Sequence, residues 1–127
     1  MNALYVFIGG GLGSLARYLM TLAGNKYFHS AFPYATLLSN IAACFILGLI
    51  TGLILNSNKQ HDTLRLFIAT GFCGGFSTFS TFTSETFLLF RKGEIITAST
   101  NIAASLILCF GSLLAGIVIM RLLSKQF

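Results

Sequence analysis

An uncharged stretch from Leu66 to Ser84 is long enough to cross a bilayer, but its centre suits a continuous helix poorly. That centre reads Gly71-Phe72-Cys73-Gly74-Gly75-Phe76-Ser77-Thr78-Phe79-Ser80-Thr81-Phe82. The glycines, at about 1 kcal/mol each relative to alanine, the Gly-Gly pair and the hydroxyl residues each favour a departure from helical geometry. Inside a membrane, a broken helix is tolerated only where it is buried in protein or lines a wet cavity. The stretch therefore predicts an ion-binding or permeation site.

The composition indicates an integral membrane protein with a single domain. Of the 127 residues, 55% are hydrophobic and only 9% are charged. The net charge of +5 would suggest nucleic acid in a soluble chain, but most charges lie between apolar spans, where they serve as interface anchors. We therefore predict lipid as the surroundings and no nucleic-acid partner. The N-terminus has no basic region before its apolar run, so we expect it to remain as the first membrane helix.

The charge-free runs predict an all-α membrane fold in one domain, residues 1–127, with four transmembrane helices. The expected helices cover about residues 3–24, 33–55, 63–90 and 95–120, and the third is broken. Pro33 suits the first turn of the second helix. In the first helix, Gly9 and Gly13 have the small-xxx-small spacing that lets another helix approach closely.

Several polar side chains fall inside these apolar spans. Thr36 and Asn40 lie one turn apart on the second helix. A buried amide such as that of Asn40 needs hydrogen-bond partners, which either another helix or an anion in a pore would provide. The fourth span carries a polar stripe that is expected to face protein or water, formed by Thr97, Asn101, Ser105 and Ser112.

Two aromatic and two charged residues within the spans are further candidates for a functional role. Phe79 and Phe82 are three residues apart and point to nearly the same side of a helix that resumes after the break. Arg17 either anchors its helix at the interface or lines a vestibule that attracts anions. For Glu85, an interfacial charge arrangement is favoured over a place at the pore mouth.

The sequence does not predict an enzyme site. It contains no paired carboxylates and no metal-ligand cluster, and its histidines lie in connections away from any candidate nucleophile. The cysteines are odd in number, lie inside the spans and lack metal-ligand spacing; they are Cys44, Cys73 and Cys109. We interpret them as small buried apolar residues.

The basic residues are nearly balanced between the two sides of a four-helix topology. One side holds Lys59, Arg65, Arg121 and Lys125; the other holds Lys26, Arg91 and Lys92, joined by Arg17 if that side chain extends outward. Since the bias of Lys and Arg normally fixes orientation, such a chain can insert both ways up. Two opposite copies would form an antiparallel dimer, the geometry that other transporters reach by inverted repeats.

Three motifs together closely resemble the Fluc (CrcB) family of fluoride channels. They are residues 9–18 (GGGLGSLARY), residues 36–40 (TLLSN) and residues 71–82 (GFCGGFSTFSTF). The resemblance covers essentially the whole chain, and the third motif is highly specific. It implies a dual-topology antiparallel homodimer in the cell inner (plasma) membrane. Two pores would release fluoride passively from the cytoplasm and so lower its concentration and toxicity there.

The resemblance also implies roles for individual residues. Phe79 and Phe82 would line each fluoride pore and Asn40 would provide a pore amide. A structural Na⁺ at the dimer centre would be held by the backbone carbonyls of Gly74 and Ser77. Ser77 stands at a position where the family more usually has Thr. The remaining pore positions would be Thr36, Asn101 and Ser105, with Arg17 in the vestibule. Asn101 stands where the family often has Tyr, so the fourth helix matches less closely.

Two alternatives remain at this stage. A dual-topology drug exporter of similar length would need an acidic residue within the membrane, typically in the first span, and that span has none. A non-transporting membrane protein, whose glycines and polar stripe only pack helices, predicts that Phe79 and Phe82 tolerate replacement by other apolar residues.

Overall fold

The structure is a computed structural model that describes residues 1–56 and 62–124, and every regular element in these ranges is a helix. Helix α1 is Asn2–Tyr27 and helix α2 is Tyr34–Asn56. Helix α3, residues 62–76, joins Asp62–Leu64, the π-helical Arg65–Cys73 and Gly74–Phe76. Helix α4 is Phe79–Arg91 and helix α5 is Ile95–Ser124.

Within the described ranges, three helices are long and apolar enough to cross a membrane: α1, α2 over Tyr34–Leu55, and α5. They confirm the prediction of an all-α integral membrane protein. The third predicted span falls on α3 and α4, neither of which is long enough alone. Lys59 and Lys125, two members of the predicted charge balance, lie outside the described residues.

Helices α1 and α3 pack closely through glycine. A Cβ atom added at Gly13 would lie 2.8 Å from the amide nitrogen of Phe76, and one added at Gly71 would lie 3.0 Å from the Cα atom of Gly9. Because the contacts advance in the same direction along both helices, α1 and α3 run parallel. The small-xxx-small spacing of Gly9 and Gly13 therefore packs a helix pair, as predicted.

Helices α2 and α5 form a second parallel pair with a similar close seam. A Cβ atom at Gly48 would lie 3.1 Å from the Cα atom of Gly116, and one at Gly52 would lie 2.8 Å from the carbonyl oxygen of Ile117. The Ser112 hydroxyl reinforces this seam by donating to the Ile41 carbonyl over 2.9 Å. Two parallel pairs are what a chain that crosses the membrane alternately in each direction produces.

The helix break lies later in the motif than its glycines suggest. Gly71, Gly74 and Gly75 are all helical, and the chain becomes extended only at Ser77 (ψ 157°) and Thr78 (ψ 115°). The predicted break is therefore present, but it lies at two of the hydroxyl residues of the stretch and not at its glycines. Gly71 and Gly75 instead allow contact with α1, while residues with hydroxyl side chains occupy the break.

Candidate functional site

A groove of about 240 Å³ opens beside the helix break. Three parts of the chain form its walls: α2, α5, and the break with the first turn of α4. The lining residues are Asn40, Cys44, Ser77, Thr78, Phe79, Phe82, Ser105, Leu106 and Cys109. The walls therefore combine aromatic rings with amide, hydroxyl and thiol groups, and none of these side chains carries a fixed charge.

Phe79 and Phe82 form an aromatic pair at this groove. Their ring centroids are 5.6 Å apart and the ring planes are inclined by 40°. Phe79 is 78% exposed in the single chain, whereas Phe82 is half-buried. The edge of an aromatic ring carries partial positive charge, so the pair offers weakly electropositive surface to an anion.

Asn40 fastens α2 to the helix break. Its side-chain oxygen accepts a hydrogen bond from the Thr78 N–H over 2.7 Å, and its Nδ2 donates to the Thr78 carbonyl over 3.3 Å. The Asn40 oxygen thus replaces the backbone acceptor that the Thr78 N–H lacks in the break, and the Asn40 amide adds a donor to the Thr78 carbonyl. The sequence left two partners open for the Asn40 amide, another part of the protein or an anion. The bond to another part of the protein is present. The second Nδ2 hydrogen is not used in this pair of bonds, and Asn40 also lines the groove.

Thr78 in turn starts helix α4. Its Oγ1 accepts from the Thr81 N–H over 3.2 Å, which is an N-cap, and it donates to the Thr81 hydroxyl over 3.0 Å. Ser80 Oγ lies 3.2 Å from the same oxygen. Phe79 is the first helical residue after the break. Its orientation therefore depends on Thr78, whose backbone bonds to Asn40 and whose side chain caps α4.

The break releases two backbone carbonyls. The Thr78 N–H, which in a continuous helix would bond the Gly74 carbonyl, donates to Asn40 instead. The Thr81 N–H likewise donates to the Thr78 hydroxyl and not to the Ser77 carbonyl. Across the described ranges, no backbone hydrogen bond outside the helices reaches either carbonyl oxygen. Oxygen atoms of this kind suit a hard cation, so the chemistry fits the predicted Na⁺ ligands.

Arg17 lines a second cavity of about 230 Å³. Thr36 shares it, and Thr78 borders both this cavity and the groove. The Arg17 Nε is buried and has no hydrogen-bond partner in the described part of the chain. Arg17 is half-buried beside this cavity, and its place in a vestibule stays a prediction.

Glu85 bonds to Thr36, one of the residues that line this second cavity. The Thr36 hydroxyl donates to Glu85 Oε1 over 2.9 Å, while Glu85 Oε2 is buried without a partner among residues 1–56 and 62–124. Thr36 therefore faces α4, whereas Asn40, one turn later, faces the break. The structure thus divides the predicted pore residues between two neighbouring cavities.

The polar stripe of α5 faces protein, as predicted. Asn101 is 1% exposed and donates to the Thr86 hydroxyl over 2.9 Å, and Ser105 lies 3.5 Å from the Asn101 side-chain oxygen. Ser105 lines the groove, but Asn101 is not among the lining residues. Asn101 thus supports Ser105 and connects α5 to α4.

Sequence reasoning missed four groove residues: Cys44, Thr78, Leu106 and Cys109. A signal for two of them exists in the spacing. Cys44 follows Asn40 by four residues and Cys109 follows Ser105 by four, which places each pair on one helix face.

Comparison with known proteins gives consistent matches. The family model described as CrcB-like protein, Camphor Resistance (CrcB), matches residues 4–117. A protein of Flavobacterium psychrophilum is 41% identical over 92% of this chain and 94% of its own length. One of Pyrococcus abyssi is 43% identical over 94% of this chain and 96% of its own.

A protein of Pyrococcus furiosus is 47% identical over 91% of this chain and 93% of its own length. All three relatives bear the name fluoride-specific ion channel FluC, which is a channel name and not that of an enzyme. The family match, residues 4–117, includes the helix break and all the residues that line the groove and the second cavity. The chain therefore belongs to the CrcB family.

Proposed function

We propose that this protein is a fluoride-selective channel that lets fluoride leave the cytoplasm passively across the inner membrane. The observation that carries the proposal is the groove at the helix break. It brings the Phe79 and Phe82 rings together with the Asn40 amide and the Ser105 hydroxyl. The names of the relatives support the choice of fluoride.

The groove chemistry suits a small anion that is strongly hydrated. Fluoride that enters a pore must replace lost water with hydrogen-bond donors and positively polarised edges, which amides, hydroxyls and aromatic rings supply. Fixed cationic side chains would hold the anion too tightly to release it. In keeping with this, no Lys or Arg lines the groove.

The membrane potential supplies the driving force. Neutral hydrofluoric acid crosses a membrane and ionises inside the cell. A negative interior then favours exit of the anion by about 2.3 kcal/mol per charge for each 100 mV. Passive release lowers internal fluoride and its toxicity without a pump.

The second cavity serves as the vestibule in this proposal. The half-buried Arg17 guanidinium attracts anions, and Thr36 provides a hydroxyl beside it. Because Thr78 borders both cavities, a path from the vestibule to the groove passes the helix break. The vestibule lining therefore includes a cationic side chain, whereas the residues that line the groove include none.

The functional unit in this proposal is an antiparallel homodimer with two pores. Phe79 is 78% exposed in the single chain, so the groove lacks a wall on that side. A second copy would supply the missing wall. The near balance of basic residues supports insertion in both orientations.

A structural Na⁺ is part of the same proposal. The carbonyls of Gly74 and Ser77 would hold it, since both are released from helical hydrogen bonding. The Ser77 hydroxyl donates to the Cys73 carbonyl over 2.8 Å, so Ser77 contributes its backbone oxygen whether Ser or Thr stands there. When bound, the ion supplies a fixed positive charge near the pores.

Fluoride efflux from liposomes tests the channel directly. Purified protein is reconstituted, a potassium ionophore cancels the voltage, and chloride-loaded vesicles run in parallel. We expect rapid loss of fluoride and retention of chloride. Retention of fluoride by vesicles that contain folded protein would contradict the proposal.

Substitution of the aromatic pair tests the site within that assay. Phe79→Ile and Phe82→Ile keep apolar volume but remove the ring edges, so we expect fluoride efflux to fall by about tenfold or more. Phe7→Ile is the matched control, because Phe7 is also 78% exposed and lies on α1, away from the groove. Unchanged efflux in both groove variants would favour a role for the rings in helix packing alone.

A further inference from the structure

Two thiols lie together on the groove wall. Cys44 of α2 and Cys109 of α5 both line the groove, and both are half-buried. Cys73 differs, because it is buried and does not line the groove. The pair is therefore accessible from the same space as the aromatic rings.

The seam between α2 and α5 places Cys44 and Cys109 at the same level of the helix pair. Gly48, one turn after Cys44, faces Leu113, one turn after Cys109, so closely that an added Cβ would lie 3.1 Å from the Leu113 carbonyl carbon. Gly52 and Ile117 repeat the contact one turn later. Since the helices run parallel here with glycine in the seam, residues 44 and 109 occupy the matching level one turn earlier.

The thiols also continue the polar rows of the candidate path. Asn40 precedes Cys44 by one turn, and Ser105 precedes Cys109 by one turn. All four side chains line the groove. The thiol pair thus forms the layer next to the amide and hydroxyl, where an occupying ion would obstruct an anion that moves along the groove.

We propose that Cys44 and Cys109 form a two-thiol binding site for a soft, thiophilic metal cation, and that an ion bound there blocks passage through the groove. Soft cations prefer thiolate sulfur over the oxygen and nitrogen ligands nearby. On binding, each thiol releases its proton to water and each sulfur becomes a ligand. The blocking half of the proposal depends on the proposed channel function, but the binding half does not.

Binding is tested on purified protein with Hg²⁺ as the probe and Cys73→Ala as the background, so that only the groove thiols remain. After titration with Hg²⁺, free thiols are alkylated with a maleimide and counted by mass spectrometry. We expect one Hg²⁺ per chain to protect both thiols, and Cys44→Ser or Cys109→Ser to weaken this protection by about tenfold or more. Separate titration of the two thiols, or no protection, would overturn the proposal.

Blocking is tested by fluoride efflux from liposomes, with each variant compared to its own rate before Hg²⁺ is added. We expect Hg²⁺ to slow efflux about tenfold in the native and Cys73→Ala proteins, and a dithiol to restore it. The Cys44→Ser/Cys109→Ser double variant should resist Hg²⁺.

The two tests separate the possible failures. Absent efflux before any Hg²⁺ is added would contradict the channel function, while the alkylation result would still decide the binding site. Protection of both thiols together with an unchanged efflux rate would overturn the block.

Discussion

Two adjacent segments of the motif at residues 71–82 differ in backbone geometry. The glycine segment stays helical and packs against α1, whereas the hydroxyl segment leaves the helix. Residues 71–75 remain helical, and Gly71 and Gly75 let α3 lie against the backbone of α1. Ser77 and Thr78 leave the helix; the Ser77 N–H still bonds the Cys73 carbonyl, while the Asn40 side chain accepts from the Thr78 N–H. The glycine segment is thus a packing surface, whereas the hydroxyl segment is an opening.

This difference shows which residues bear on function. A packed glycine contributes by having no side chain, so any addition harms stability first. The break depends on groups that are present, chiefly the Asn40 amide and the Thr78 hydroxyl, so their removal should alter the groove directly. Substitutions in the two parts should therefore separate stability from transport.

The largest effect is expected for Asn40→Leu. The change leaves the Thr78 N–H without its partner, at about 1–3 kcal/mol, and removes one bond to the Thr78 carbonyl. It also removes a donor from the groove, so we expect fluoride efflux to fall about a hundredfold. Efflux and the thermal midpoint in detergent are measured on the same preparation.

Ser39→Ala is the control for that change. Ser39 is the preceding residue and is fully buried, but its hydroxyl bonds only the Ala35 carbonyl of its own helix. We expect Ser39→Ala to leave efflux close to the native rate. Equal losses in both variants would mean that α2 tolerates no change here, and that Asn40 has no special role at the break.

The glycine segment should respond in stability more than in transport. In Gly13→Ala the new Cβ would press on the Phe72 carbonyl and the Phe76 amide nitrogen, and overpacking of this kind costs about 1–3 kcal/mol. Gly11→Ala is the matched control, because nothing lies within 4 Å of its added Cβ. It should be neutral or more stable by up to about 1 kcal/mol.

Unfolding midpoints in detergent check this pair, together with efflux normalised to folded protein. Gly13→Ala should lower the midpoint while the protein that remains folded still conducts. Equal midpoints for the two variants would show that α1 and α3 are not in close contact.

The sequence predicts the helical class, the spans and the presence of a break, because these follow from long charge-free runs and local propensity. It does not predict the position of the break. Propensity disfavours a helix at the glycines and at the hydroxyl residues alike, but contact with α1 keeps the Gly75 region helical. The break forms instead where Asn40, distant in sequence, can satisfy Thr78.

The candidate site is predictable only in part for the same reason. The Phe79 and Phe82 spacing places both rings correctly at the groove, because it depends on one helix. Asn101 follows the same stripe as Ser105, yet it bonds Thr86 behind the lining residues. Which member of a stripe reaches a cavity depends on how neighbouring helices pack, and periodicity does not contain that information.

The smallest of these effects concerns the cap of α4. Thr78→Val keeps the shape but removes the oxygen that accepts from the Thr81 N–H, and loss of such a cap costs about 1 kcal/mol. Thr78→Ser keeps that oxygen and loses only a methyl group, so the two variants distinguish the cap from simple packing. Since the Asn40 bonds to the Thr78 backbone remain in both, Thr78→Val should lower the thermal midpoint more than Thr78→Ser and reduce efflux less than Asn40→Leu. A lower midpoint for Ser than for Val would mean that the methyl contact, and not the hydroxyl, holds the first turn of α4 in place.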